Sequence, residues 1–178
     1  VRALAEREAF AMPAITIRVA GPEDRETLDL LIAASYGTLN DGSYDPARLA
    51  SAMPAISRAN PALLASGTYF VAEIDGEVAG CGGWTTTKPG SGETIDGVAH
   101  IRHFATHPAH LRKGVARALL DRCLAEAAAS GIGLIKSQST MPAEPFYASA
   151  GFRRIRVIEV EAGKGVTLPV VEMERALS

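Results

Sequence analysis

The spacing of hydrophobic and polar positions changes several times along the chain, and each change marks an element. "ITIRV" (Ile15–Val19) alternates apolar and polar residues and predicts a strand. Gly21-Pro22-Glu23-Asp24 reads as a helix start, with Pro in the first turn and acids at the positive dipole end. Leu28, Leu31, Ile32 and Ser35 then mark one face of that helix. The polar run "GTLNDGSY" leads to Asp45-Pro46, a second cap. The helix behind it carries Leu49 and Met53 on one face, and Pro54 is expected to end or kink it. "TYFVAEI" (Thr68–Ile74) and "EVAGCGGWTT" are β-rich runs joined by Asp75-Gly76, which predicts a hairpin with a tight I′-type turn.

A breaker-rich loop separates this hairpin from a further strand, Val98–Thr106. After His107-Pro108 and a basic loop, an amphipathic helix is expected from Gly114 to Ser130. Ala116, Leu120, Cys123, Leu124 and Ala127 would line its core face, and Gly131 stops it. "GLIKSQ" predicts a strand, "AEPFYASA" a short helix and "FRRIRVIEV" a strand that Gly163-Lys164-Gly165 turns into a last one, "TLPVVEMER". The order β-α-α-β-β-β-α-β-α-β-β specifies one α/β (α+β) domain. Its central sheet would be mixed and mostly antiparallel, of six to seven strands, with helices on both faces. The single parallel connection, 98–106 through 114–130 to 133–138, should cross over right-handedly, and ligands favour the carboxyl ends of such strands.

Composition narrows the class. The chain has 178 residues, 47% hydrophobic and 21% charged, enough apolar material for the core of one domain and too much for disorder. No apolar run approaches the roughly 18 residues that span a bilayer, so no membrane association is expected. The formal net charge of −2 argues against a general polyanion binder. Cys81 and Cys123 cannot build a disulfide framework, which points to free thiols and a cytoplasmic setting. "VRALAEREAFAMP" has no apolar core and is not a signal peptide. Met12 would make a natural start, so residues 1–12 are read as an N-terminal extension and 13–178 as the domain.

The overall charge hides a local bias. Between His100 and Arg122, five basic residues face Asp121 alone, a local net charge of +4, and all four histidines fall in the same stretch. The basic loop "LRKGVA" stands directly before a helix N-terminus, where unpaired backbone N–H groups and the dipole favour an anion. Gly114 permits close backbone approach, Ala116 is small, and Arg112, Lys113 and Arg117 supply charge, which together suggest a phosphorylated ligand. No metal site is expected. His100 and His103 are an odd number apart on a strand and should point to opposite faces, with no Cys or acidic residue to complete a ligand set. Neither GxxxxGK[ST] nor GxGxxG is present, which disfavours nucleotide hydrolysis and dinucleotide redox chemistry. A nucleic-acid module would need aromatic residues among the basic ones, and only 6% of the chain is aromatic.

Residues 98–152 resemble the acyl-CoA core of the GNAT superfamily of N-acetyltransferases. The matching segments are "HFATHPAHLRKGVARALL", a strand followed by a glycine loop and a long helix, and "EPFYASAGF", an aromatic-Tyr pair followed by Gly-Phe. The element order from Ile15 to Arg175 is also similar to the family's. Leu111 stands where the family pattern has Gln or Arg, with Arg112 one place late, and Thr140 stands where Asn is frequent.

The resemblance implies an acetyl-CoA-dependent N-acetyltransferase. Phe104, Ala105 and Thr106 would pair with the pantetheine arm as an added strand, beside a bulge near Arg102-His103 that splays this strand from 133–138. Arg112, Lys113, Gly114, Val115, Ala116 and Arg117 would hold the pyrophosphate, and Thr140 and Phe146 would flank the acetyl end. Tyr147 would act as general acid toward the departing sulfur, with a backbone N–H near Ala105 as an oxyanion donor. His103 and His100 are candidates for the base, Glu93 and Glu73 weaker ones. Trp84 could floor the acceptor pocket or sit in the core, and Tyr36 and Tyr44 would face the acceptor, a small-molecule or peptide amine. A non-catalytic acyl-CoA-binding or sensing domain is the alternative. A homodimer through a sheet edge or terminal strand is compatible with the family.

Overall fold

A computed structural model describes residues 13–178, so the expected extension over residues 1–12 lies outside the described residues. The expected strand Ile15–Val19 forms β1, and the Gly21-Pro22 signal opens a 3₁₀ turn, Pro22–Asp24, that runs into α1, Arg25–Tyr36. Helix α2, Pro46–Ile56, is capped by Asp45, whose carboxylate accepts from the Arg48 N–H at 2.9 Å. Helix α2 does not stop at Pro54 but ends two residues beyond it, at Ile56. The missing N–H falls in the last turn, where Ser57 closes the end by donating both its N–H and its hydroxyl to the Met53 carbonyl, at 3.0 and 2.6 Å. A short α3, Pro61–Leu64, capped by Asn60, was not anticipated.

The hairpin is β2, Tyr69–Ile74, and β3, Glu77–Thr85, joined by Asp75 at φ +52° and Gly76 at φ +80°, the paired positive values of a I′ turn. Strand β4 spans Val98–Thr106, helix α4 Val115–Ala129 and β5 Leu134–Ser139. Helix α5, Glu144–Ser149, then leads to β6, Arg153–Glu161, and β7, Thr167–Ala176. All seven strands form one sheet in the order β1-β2-β3-β4-β5-β7-β6. Only β4 and β5 pair in parallel, as the crossover pattern required.

Two apolar layers sandwich the sheet. Helices α4 and α5 cover one face through Leu119, Leu120, Cys123 and Tyr147, against Phe70, Ala72, Ile135, Val171 and Met173. Leu120, Cys123, Leu124 and Ala127 of α4 are buried as expected, joined by Val115 and Leu119, while Ala116 is only half-buried. Val115 packs where a Cβ on Gly80 would stand 2.6 Å from its Cγ1, so the bare backbone of β3 draws the helix start inward. On the other face, Leu28 and Ile32 of α1 pack on Tyr69, Val71 and Cys81, and Leu49 of α2 packs on Leu168.

Asp24 is buried where α1 begins. Its carboxylate accepts from the Gly21 N–H at 2.8 Å and from both terminal nitrogens of Arg18 at 2.7 and 2.9 Å, which hold it below the usual carboxylate pKa. A depressed folded-state value contributes stability above the unfolded pKa, near 4, and loses it as pH falls through the folded value. Asp24→Asn is therefore expected to destabilise the fold by about 1–3 kcal/mol at pH 7. Urea denaturation should show the gap to wild type closing toward pH 3.

Candidate active site

A bulge in β4 creates the site. Arg102 lies opposite Gly83 and Ala105 opposite Cys81, so β4 carries one residue more than β3 between these pairs. His103 absorbs the distortion at φ +49°, and the Tyr69 hydroxyl fixes it by donating to its carbonyl at 2.7 Å. A Cβ on Gly82 would overlap the Phe104 ring, so only glycine lets that ring cross β3. Strand β4 meets β5 only from Val98 to His100, paired with Leu134 to Lys136, and β5 continues instead along β7. Beyond His100 the two parallel strands part.

The opening holds two adjoining cavities. One, of about 290 Å³, runs between β4 and α5 past Phe104, Thr106, Leu111, Ala116, Phe146 and Tyr147. The second, of about 320 Å³, lies under α1 and α2 and is lined by Tyr44, Ile56, Arg58, Arg102 and Leu168, among others. Tyr36, Leu39, Ile101, His103, Gln138 and Thr140 border both. Tyr36 and Tyr44 both line the second cavity, whereas Trp84 lies buried in the core behind α4. Gln138 and Arg102 had no motif to announce them; only the parting of β4 and β5 exposes both.

Backbone pairing divides the expected strand segment. Ala105 pairs with Cys81, and the His107 N–H donates to the Ala79 carbonyl, so these alternate residues serve β3. Phe104 and Thr106 face the gap: the Tyr36 hydroxyl lies 3.5 Å from the Phe104 carbonyl, and the Thr106 N–H donates to Ser35 Oγ at 3.3 Å. Ala105 borders the first cavity but directs its polar backbone away from it, which removes its N–H as an oxyanion donor.

At the start of α4, Arg112 (φ +60°) and Gly114 (φ +84°) both adopt left-handed backbone. No side chain caps this helix, and its first ladder bond is Ala118 N–H to the Gly114 carbonyl at 3.0 Å. The amides of Val115, Ala116 and Arg117 therefore open the helix as free donors. Lys113 donates toward His110 Nδ1 at 3.4 Å, Arg112 is exposed, and Arg117 leans on Asp121 at 3.2 Å. Leu111 projects 54% exposed at the cavity edge.

Tyr147 is 5% exposed and wedged edge-on among Phe104, Phe146 and Phe152, with ring centroids 6.4, 5.0 and 5.4 Å away. Burial raises its pKa far above 10, so the phenol keeps its proton. Among the described residues nothing hydrogen bonds to its hydroxyl, although its ring borders the first cavity. Thr140 stands where β5 ends, before the 3₁₀ turn Met141–Ala143.

His103 Nε2 lies 3.0 Å from the Ile56 carbonyl, which can only accept, so Nε2 carries the proton and Nδ1 the lone pair. Burial lowers its pKa, keeping the ring neutral. The bulge overturns the expected alternation of the two histidines. His100 and Arg102 share a face, and His103 lines the same cavity as Arg102. His100 is nonetheless remote from the opening, among Lys88, Lys136 and Glu172, where burial and those cations depress its pKa to about 4. Glu73 is tied to Arg18 at 3.1 Å, and Glu93 borders neither cavity, which removes both as bases here. No three His, Cys, Asp or Glu side chains group as metal ligands among the described residues, and no described helix is long and apolar enough to cross a membrane. Cys81 and Cys123 are free and buried.

Among the described residues the sheet opens between its one parallel pair, with a glycine loop before the crossover helix, the arrangement that the sequence resemblance implied. A model of the acetyltransferase (GNAT) domain matches residues 65–154, half of the chain, and the chain belongs to that family. A GCN5-related N-acetyltransferase from Rhodopseudomonas palustris superposes with a TM-score of 0.70 at 22% identity, over 94% of this chain and 97% of that one. The PaiA N-acetyltransferase from Thermoplasma acidophilum, solved with coenzyme A, gives 0.67 at 19% identity over 92% and 99%. The N-acetylglutamate synthase from Neisseria gonorrhoeae gives 0.61 at 19%, over 93% of this chain and 35% of that one. At such identities these likenesses establish the fold. No curated protein sequence matches the chain.

Because the Tyr147 hydroxyl has no protein partner, Tyr147→Phe should leave the stability within about 0.5 kcal/mol of wild type. Gly82→Val should instead cost about 1–3 kcal/mol by forcing the Phe104 ring aside. Denaturant midpoints of the two variants check this contrast.

Proposed function

We propose that the protein transfers the acetyl group of acetyl-CoA to a primary amine, of a small molecule or an exposed peptide, by direct attack. The observation that carries this reading is the meeting of two cavities where β4 leaves β5, with the Tyr147 phenol on one and His103 on both. A domain that only bound or sensed acyl-CoA would have no use for the second cavity.

In this reading the pantetheine arm lies along Phe104 and Thr106, whose backbone polar groups face the gap, with Ala105 contributing its methyl surface. The amides of Val115, Ala116 and Arg117 and the charges of Arg112 and Lys113 receive the pyrophosphate, and Gly114 supplies the left-handed turn that presents them. Thr140 and Phe146 flank the acetyl end. The donor contributes an activated thioester carbonyl. Attack by the amine nitrogen forms the C–N bond and breaks the C–S bond; the amine loses one proton and the sulfur gains one. His103 Nδ1 takes the proton, directly or through water, and Tyr147 donates to the sulfur. Burial raises the pKa of a thiolate beside Tyr147 as it raises that of the phenol, so the proton need not move uphill. His100 has no part.

Acetyl-CoA should raise the melting temperature, by the linkage of binding to folding, and an unmoved curve at saturation would refute the slot. Tyr147→Phe should lower kcat by about 10- to 100-fold with the affinity for acetyl-CoA unchanged in calorimetry. In wild type, kcat/KM should rise with pH through a group titrating below the ordinary histidine value of about 6.5, a limb that His103→Gln should abolish.

A further inference from the structure

We infer that the amine accepted by this site carries a carboxylate, gripped by the free edge of the Arg102 guanidinium. This rests on the transfer reading above and names the acceptor class for it.

Arg102 projects from β4 into the second cavity, half-buried. Both of its hydrogen bonds use Nη1, which donates to Thr85 Oγ1 at 2.9 Å and to the Thr87 carbonyl at 3.4 Å. Thr85 commits its own hydroxyl proton to the same carbonyl at 2.8 Å, so the guanidinium is oriented by a fixed pair of acceptors. Nε and Nη2 make no hydrogen bond among the described residues, which leaves one complete two-donor edge of the fork unused.

Arginines elsewhere in the protein, among them Arg18, Arg48 and Arg156, lie beside carboxylates although they are more exposed. Arg102 faces none. Burial lowers its pKa and no carboxylate restores it. A partly desolvated cation without a counter-ion is costly, and a carboxylate brought by the acceptor would offset that cost with two parallel charge-assisted bonds. Arg58 adds a second cation at the exposed rim, against the lone carboxylate of Glu161.

The same charge selects against other amines. Two cations repel a polyamine or an aminoglycoside, and they favour the uncharged form of the reacting amine. A single half-buried fork matches a carboxylate monoanion better than a phosphate dianion. The remaining walls, Leu39, Ile56, Leu63, Leu168 and Val170, are apolar and leave about 320 Å³ for a short carbon skeleton.

The test is steady-state acetylation by the full chain with acetyl-CoA. The twenty protein amino acids would be compared with the amines that lack their carboxylate, such as isopentylamine against leucine and 2-phenylethylamine against phenylalanine, with spermidine and phosphoethanolamine alongside. The best amino acid should exceed its decarboxylated partner by about 10- to 100-fold in kcat/KM. Arg102→Met should collapse that ratio to within about threefold through KM, and Arg102→Lys, which keeps charge without the fork, should give an intermediate ratio. Both variants should bind acetyl-CoA with wild-type affinity in calorimetry. Equal or better use of a carboxylate-free amine, spermidine or phosphoethanolamine would overturn the inference, as would a ratio that survives in the methionine variant. Failure of wild type to bind acetyl-CoA in the calorimeter would remove the transfer reading itself, and the inference with it.

Discussion

Two parallel strands that pair for three residues and then separate set the terms for everything else in this protein. In an uninterrupted sheet, β4 and β5 would spend their polar backbone groups on each other. Here β5 turns its remaining pairing to β7, and β4, displaced by the extra residue at His103, is left with an open edge. The edge is not a defect awaiting aggregation, because α1 and α5 wall it in and glycine at position 82 gives the Phe104 ring its place. Fold and site are one construction: the bulge that costs the sheet its continuity supplies the space for chemistry.

Much of this architecture was legible along the chain. The hairpin could be read from Asp75-Gly76, because few dipeptides accept two positive φ values in succession. The crossover helix could be read from its glycine at one end and Gly131 at the other, whereas the bulge came only with the family resemblance. Local chemistry of this kind is written in consecutive residues. Burial of Val115 rather than Ala116 at the start of α4 was not, because it depends on how closely Val115 approaches Gly80, a contact between positions 35 residues apart. Survival of α2 past Pro54 likewise depended on Ser57 satisfying the Met53 carbonyl, and the brief α3 on Asn60.

The candidate site was legible in part, and for a related reason. Motifs name residues whose neighbours in sequence do the work, such as the amides following Gly114 or the aromatic pair Phe146-Tyr147. Residues recruited from separate elements carry no such mark. Arg102 and His103 reach one cavity together only because the bulge reverses side-chain direction, and strict alternation misassigned the histidines for that reason. Sorting the four base candidates likewise required contacts no spacing encodes: Glu73 held by Arg18, His100 shut among lysines, and His103 oriented by a carbonyl 47 positions away.

The six residues that border both cavities have a thermodynamic consequence. Whatever occupies one chamber becomes part of the lining of the other, since Ile101, His103 and Thr140 cannot relax toward one guest without altering the surface offered to the second. Affinities for the two guests are thereby linked, and linkage is reciprocal: each changes the other's dissociation constant by the same factor. In the proposed transfer reaction the shared partition would couple donor and acceptor binding through packing, with no movement of distant parts required.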